Sequence, residues 1–553
     1  MNIFWCFKNS VTCVLVAVFL LLGNQEAFSK RKKRRQTRVT ASGYVTDIVP
    51  RKHHVRKPRI PERLKGRSFG KAKYALVISL DGIPFGAFHR FRKRLPTMYR
   101  LAKKGFWRPL YTVFPSVTLS SHVSMVTGQY PRHHGVLGNR WVRNYKSVIF
   151  PFRTDVVEYA RRKRTYSLYD LTARKKWKTA AVNWPATQRA RITYNMPEIA
   201  YSTRYSYYYL SKSMKKILRS AYKRFTGKKK VHEKYLKGFI NRLADSEQID
   251  TDFFVRDLTL ELIRKTAKAK KRRSFPRLML VHFLIPDTLQ HTYGPDPWVQ
   301  KWTLELCESM IAKVIKAYKK AGIWKKTVVF LVSDHGFAKI KLKMDLRLLF
   351  KKKRLNKKRS MRKKYRKKAK VWVFNNGHTS YLYIRPEDQK TLIPKVLKML
   401  RTRAYRKCIE GVYLPSEYKK LGLPIPKTYI PAKPVYAPGK HPGAPTLLVL
   451  AKQHCAFTNY NKRYRVLRPD DLKNPKRYYG THGYFPRTKS MSAVWIASGP
   501  GIRKMGFVRK PAETVDLAPT LAHLMGLRWP RKWPVSKKRF VLDGRIRKEI
   551  LKR

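Results

Sequence analysis

The chain has 553 residues, 43% of them apolar, with 126 Lys and Arg against 31 Asp and Glu, a formal net charge of +95. That length and apolar share exclude a disordered chain and a small disulfide-stapled scaffold, leaving one large α/β domain with insertions or two domains. Such a charge attracts polyanions through long-range, salt-sensitive electrostatics, so nucleic acid, an anionic membrane surface or acidic polysaccharide are natural partners; a general compositional bias fits the even spread of basic residues equally well.

Residues 1–29 have the pattern of a secretory signal peptide: Lys8, an apolar run from Val11 to Leu22, and Ala27-Phe28-Ser29 as a small-x-small cleavage site. The pattern predicts an extracytoplasmic protein, periplasmic or secreted. An uncleaved membrane anchor is the alternative, with Ile3 to Phe7 lengthening the apolar run. The cluster Lys30 to Arg35 opposes easy export, because positive charge directly after an apolar segment tends to stay cytoplasmic. Residues 30–72 are basic and lack apolar periodicity, and read as a solvated linker. Beyond the signal segment remain Cys307, Cys408 and Cys455, too few and too scattered for a framework. Core packing is their expected role, with at most one bridge.

The fold is expected to begin at Tyr74-Ala75-Leu76-Val77-Ile78-Ser79-Leu80, a continuous apolar run typical of a buried parallel strand, ending in Asp81-Gly82. Similar runs recur at 276–286, 327–333 and 491–497, separated by helical periodicity around 95–105, 118–127, 252–270 and 298–320. Alternating strands and helices predict an α/β fold, a doubly wound, mostly parallel sheet between helices. Two stretches break the rhythm and read as inserted cap segments covering the site: 188–250, rich in Tyr, Ser and Lys, and 338–480. Within the second, Lys351 to Lys370 is either a solvated loop or a polyanion-binding tongue.

Each strand end carries residues suited to a divalent metal, which zinc takes as His nitrogen and carboxylate oxygen. Asp81 follows the first run; Asp287 and His291 follow the second, four residues apart and hence on one face of a helix starting there; Asp334 and His335 follow the third. His482 lies in the Gly-flanked turn Gly480-Thr481-His482-Gly483-Tyr484 before the fourth. A single Asp or His at a strand end is more often a cap. Three of each at the carboxyl ends of successive strands make two three-residue ligand sets, where open α/β sheets place their sites. In Phe114-Pro115-Ser116-Val117-Thr118-Leu119-Ser120-Ser121-His122, Thr118 opens a predicted helix ending at Gly128. It is either an ordinary N-cap or a nucleophile whose phosphoryl adduct the helix N-terminus would favour.

These elements together resemble the nucleotide pyrophosphatase/phosphodiesterase family of the alkaline phosphatase superfamily: LDG with Asp81, PSVTLSSH with Thr118, TGQYPRHHGVLGN ending in Asn139, PDTLQH, SDHG and GTHGY, in the family's order. ETVDLAPTLAHLMGL (513–527) and LDGR (542–545) resemble the superfamily's closing elements. The resemblance implies an alkaline-phosphatase-like catalytic domain over 73–545, followed by a basic tail at 546–553. It implies that Asp287, His291 and His482 hold one metal, and that Asp81, Asp334, His335 and the Thr118 oxygen hold the other. Asn139 would contact a non-bridging phosphate oxygen. Two divalent ions, zinc by donor type with manganese or iron tolerated, would clamp an in-line displacement about 4 Å across. Thr118 would form a phosphothreonine that water then releases.

Family members that cleave nucleotides carry an aromatic residue directly after the nucleophile as a base platform. Here that substrate-binding position is Leu119, and the Tyr-rich insertion is the other source of an aromatic. The sulfatase C/S-x-P-x-R context is missing at Thr118 to His122. The reading is thus a phosphodiesterase or pyrophosphatase acting on a small-molecule phosphate ester. A phosphomonoesterase or phosphonate hydrolase on the same scaffold, and a polyanion-binding surface protein, are the competing readings.

Overall fold

A computed structural model describes residues 55–62, 66, 68–144, 147–149, 165–198, 206–245, 248–267, 274–352, 355, 370–423, 444–458, 464–466, 479–533 and 539–552. The signal-like segment, the linker up to residue 54 and most of the Lys351 to Lys370 run lie outside the described residues.

The central sheet contains β1 (Tyr74–Leu80), β2 (Phe106–Tyr111), β3 (Thr179–Trp184), β4 (Tyr194–Pro197), β5 (Leu278–Phe283), β6 (Thr327–Ser333), β7 (Ala493–Ser498), β8 (Gly506–Phe507) and β9 (Ala512–Glu513). Their spatial order is β8-β2-β7-β6-β1-β5-β3-β4, with β9 also on β2. β4, β3, β5, β1 and β6 run parallel, while β7 pairs antiparallel with both β6 and β2.

Every residue of β1, β5 and β6 is buried, because both faces of the sheet are covered. Leu76, Ile78 and Leu80 point into one core with Met279, Val281, Val329 and Leu331, beneath the helices Gln248–Ala267 and Pro297–Lys320. Ala75 and Val77 point into the other with Leu278, Leu280, Val328 and Phe330, against Leu517–Leu524. The strand period of two divides one continuous apolar run between two cores.

The sheet register decides what happens at the strand ends. Leu80 pairs with Phe283 on one side and Ser333 on the other, so the chain leaves all three strands at the same level. Asp81, Leu284 and Asp334 therefore emerge side by side.

Five helices matter to the site: α1 (Thr118–Thr127), α2 (Gln248–Ala267), α3 (Ile285–Tyr293), α4 (Pro297–Lys320) and α5 (Leu517–Leu524). α1 ends at Gly128 in the left-handed conformation, at φ 69°. Its N-cap is Val117, with Thr118 the first helical residue. The capping role open to Thr118 thus falls away, since its side chain is not used to close the helix. α3 begins two residues after β5 and ends before Gly294.

Between β6 and β7 a second, four-stranded antiparallel sheet forms, in the order Val371–Asn376, Thr379–Ile384, Leu447–Ala451, Ile409–Tyr413. A disulfide joins Cys408 to Cys455 at its edge. The one bridge that the expectation allowed forms, and all three cysteines are buried in the core, Cys307 as a free thiol. The other two are 47 residues apart in sequence, and the sheet brings their Cα atoms to 5.5 Å, a separation that no spacing in the sequence announces. Within the first inserted stretch, the helices Lys212–Thr226 and Glu233–Asp245 lead into α2. Among the described residues no helix is long and apolar enough to cross a membrane.

Candidate active site

The strand ends and α3 bring two donor groups together, Asp81 with Asp334 and His335, and Asp287 with His291 and His482. Within each group the donor atoms lie within 4.8 Å of one another. The groups adjoin, for Asp287 Oδ1 stands 3.4 Å from His482 Nε2 and 4.0 Å from His335 Nε2. His335 Nε2 is 3.2 Å from Asp81 Oδ1 and 3.3 Å from Asp334 Oδ2. Thr118 Oγ1 reaches the same place, 3.4 Å from His335 Nε2.

Backbone hydrogen bonds set the three histidines in one tautomer. Nδ1 of His335 donates to Gly336 O at 3.0 Å, Nδ1 of His291 to Gly480 O at 2.9 Å, and Nδ1 of His482 to Ser116 O at 3.0 Å. Each ring therefore turns its Nε2 lone pair inward, as a metal ligand requires. The carboxylates tell the same story. Asp81 Oδ1, Asp287 Oδ1 and Asp334 Oδ2 are buried without any hydrogen-bond donor. Buried carboxylate oxygens are rarely left so, and one cation in each donor group would satisfy all three.

In the bare protein the charges conflict as such a site should. Burial, then repulsion by Asp81, raises Asp287 well above the usual carboxylate range and pushes Asp334 up to about 7. Burial lowers His291 to about 4 and holds His482 well below its ordinary value, while His335, opposing its own burial, is lifted to about 10 by Asp334, Asp81 and Asp287. Divalent cations remove the repulsion among the acids, and these residues fit two of them.

His482 corrects one expectation. It follows a two-residue strand, Gly480–Thr481, that lies outside the central sheet, rather than the carboxyl end of a central strand. β7 runs antiparallel to its neighbours, so the turn preceding β7 lies at the same sheet edge as the ends of β1, β5 and β6. Asn139 stands at the opening of α1, where its Oδ1 accepts the Leu119 N–H at 3.0 Å. Its Nδ2 is thereby the group left to donate. The Leu119 side chain packs among Phe114, Val123 and Ala186, with 3% of its surface exposed.

Three supporting residues escaped the sequence reading. His282 Nε2 lies 3.3 Å from Asp81 Oδ2. His122 donates from Nδ1 to Thr118 O at 2.9 Å and lies 3.0 Å from Ser79 Oγ through Nε2, fixing the start of α1. Asp252 accepts from the N–H groups of Leu284 and Ile285 at 2.9 and 2.8 Å, holding the N-terminus of α3. His122 was visible four residues after Thr118, hence above it on one helical face, whereas Asp252 gives no local signal.

The sequence matches the type I phosphodiesterase/nucleotide pyrophosphatase family over residues 75–485. The chain belongs to that family. Curated relatives include an uncharacterised pyrophosphatase/phosphodiesterase of Schizosaccharomyces pombe, 24% identical over 48% of this chain and 44% of the relative. Human ectonucleotide pyrophosphatase/phosphodiesterase family member 1 is 20% identical over 47% of this chain and 23% of its own. The match thus spans less than half the length of these relatives. Among solved structures, murine ectonucleotide pyrophosphatase/phosphodiesterase 5 superposes with TM-score 0.55 at 16% identity, covering 83% of this chain and 96% of that one. An inactive threonine-to-alanine variant of the same murine protein, in complex with AMP, gives 0.56. The phosphodiesterase family fold is therefore the fold of this chain.

Proposed function

We propose that the chain is a two-metal hydrolase of phosphodiester or pyrophosphate bonds in small molecules, with Thr118 as nucleophile. The observation that carries this reading is the placement of Thr118 Oγ1, at the first position of α1, against His335 Nε2 of the first donor group, which adjoins the second through Asp287. When bound, the metals would neutralise the acids and stabilise the attacking and leaving oxygens of an in-line displacement. Asp81, Asp334 and His335 would hold one, Asp287, His291 and His482 the other; zinc suits these donors.

The Thr118 oxygen forms the new bond to phosphorus while the bond to the leaving group breaks, and the hydroxyl proton passes to solvent. The resulting phosphothreonine sits at a helix N-terminus, whose free N–H groups and dipole favour the added charge. Asn139 donates from Nδ2 to a non-bridging oxygen, an orientation imposed by the Leu119 N–H on its Oδ1. The oxygen of water then bonds to phosphorus as the bond from phosphorus to the Thr118 oxygen breaks, and a proton from that water restores the Thr118 hydroxyl. Leu119 would border the substrate chiefly through its backbone. AMP in the murine relative's variant supports including nucleotides among the candidates.

The catalytic unit would span 73–545, with insertions near 188–250 and 338–480. An extracytoplasmic location is supported by the Cys408–Cys455 disulfide, which persists in oxidising compartments.

The test is a panel of nitrophenyl phosphodiester, nitrophenyl monoester and nucleotide substrates on purified protein, with zinc or chelator. Diester turnover that chelator and Thr118→Ala abolish is the expected result. Turnover untouched by Thr118→Ala sinks the reading.

A further inference from the structure

The inserted antiparallel sheet touches the active site through one hairpin tip. Strands Val371–Asn376 and Thr379–Ile384 pair antiparallel and turn at Gly377, whose φ is 70°. Asn376, 3% exposed, turns its side chain away from its own sheet and toward the loop after Gly138. Its Oδ1 accepts the N–H of Arg140 at 2.9 Å and its Nδ2 donates to the carbonyl of Arg140 at 3.0 Å. The carboxamide thus pairs with one backbone residue on both its donor and its acceptor side. Among side chains of this length only Asn offers that combination. The residue so held is directly after Asn139.

The other side of the tip grips the turn of His482. The N–H of His378 donates to His482 O at 2.9 Å, and Thr379 Oγ1 donates to Gly483 O at 2.6 Å. The packing leaves no room for adjustment. A Cβ on Gly138 would come within 2.9 Å of Asn376 Oδ1, one on Gly377 within 2.1 Å of His482 O, and one on Gly483 within 2.2 Å of Asn376 O. Three glycines thus meet where the insertion, the Asn139 loop and the His482 turn converge.

We propose that Asn376 is a positioning residue for catalysis: by pinning the backbone of Arg140, it holds Asn139 where its amide meets the transferring phosphoryl group. An ordinary packing contact would touch the loop somewhere; this one fixes both polar groups of the residue next to the phosphate donor. Asn139, held at one end by Leu119 N–H and at the other through Arg140, has its amide set before substrate arrives. The inserted sheet is then a working part of the active site.

The inference rests on the hydrolase reading and on Asn139 as a phosphate contact. The experiment is a double-mutant cycle of Asn376→Ala and Asn139→Ala, read as kcat and KM on a nitrophenyl phosphodiester, with metal content and Tm for each variant. Misplacement by about an ångström costs on the order of 100-fold, so Asn376→Ala is expected to lower kcat by roughly 10- to 100-fold with two metals retained. In the Asn139→Ala background it should cost less than about 2-fold, because the group it positions is gone. Asn376→Asp, which keeps the acceptor and loses the donor, should fall between, and it carries the cycle if Asn376→Ala does not fold. Equal losses in both backgrounds, or an unchanged kcat in folded Asn376→Ala, overturn the proposal. An inactive wild type loaded with zinc sinks the hydrolase reading instead. An Asn139→Ala variant with full activity removes the phosphate contact and the proposal with it.

Discussion

Asp252 offers the sharpest test of how the fold builds the site. Its carboxylate, wholly buried, receives two backbone N–H groups at the start of α3, the helix that carries Asp287 and His291. Burial is the largest influence on it and raises its pKa from 3.8 to about 7, against the two hydrogen bonds, which lower it. A carboxyl whose folded pKa exceeds its unfolded one contributes its full stability below the unfolded value, and loses it as pH rises through the folded value. The shift of about 3 units corresponds to roughly 4 kcal/mol lost between about pH 4 and pH 8. Asp252→Asn removes that titration and one of the two acceptors, at a cost of about 1–2 kcal/mol. The variant is expected to be less stable than wild type below about pH 4, to match it near pH 5 and to exceed it by pH 8. Denaturant unfolding across that range, in chelator, measures both curves. Asp252→Ala, which frees the start of α3, should in addition weaken metal binding roughly 10-fold or more. Parallel pH profiles for wild type and Asp252→Asn would refute the reasoning.

Other outcomes follow from the same geometry. Thr118→Ala should abolish turnover while retaining two metals per chain, because six other donors remain; metal analysis after dialysis checks this. His291→Ala and His482→Ala should each lose one metal preferentially, while the trio of Asp81, Asp334 and His335 keeps its own. Reduction of Cys408–Cys455, or its replacement by serines, should cost about 4 kcal/mol through the freed loop of roughly 47 residues, seen as a lower Tm. Leu119→Ala should destabilise by about 2–4 kcal/mol, since the side chain is buried among apolar neighbours.

The sequence by itself determined a good deal. The runs at 74–80, 276–286, 327–333 and 491–497 announced β1, β5, β6 and β7, because strands covered on both faces must be apolar throughout. Asp81, Asp287, His291, Asp334 and His335 were legible because a parallel sheet sends its strand ends to one edge, and Thr118 because a helix opens there. Local pattern carries this much, since strand, turn and helix start are written within a few residues of each of these donors. Only the tertiary structure decided the rest. The antiparallel sense of β7 brought His482 to the edge, 47 residues of chain closed around a disulfide, Asp252 and Asn376 came to the site from elements far away in sequence, and the pairing of β5 with β1 set His282 beside Asp81. Each acts on a backbone group or a side chain that long-range packing alone places beside it. A residue whose partner lies on another element carries no periodicity of its own to reveal the pairing.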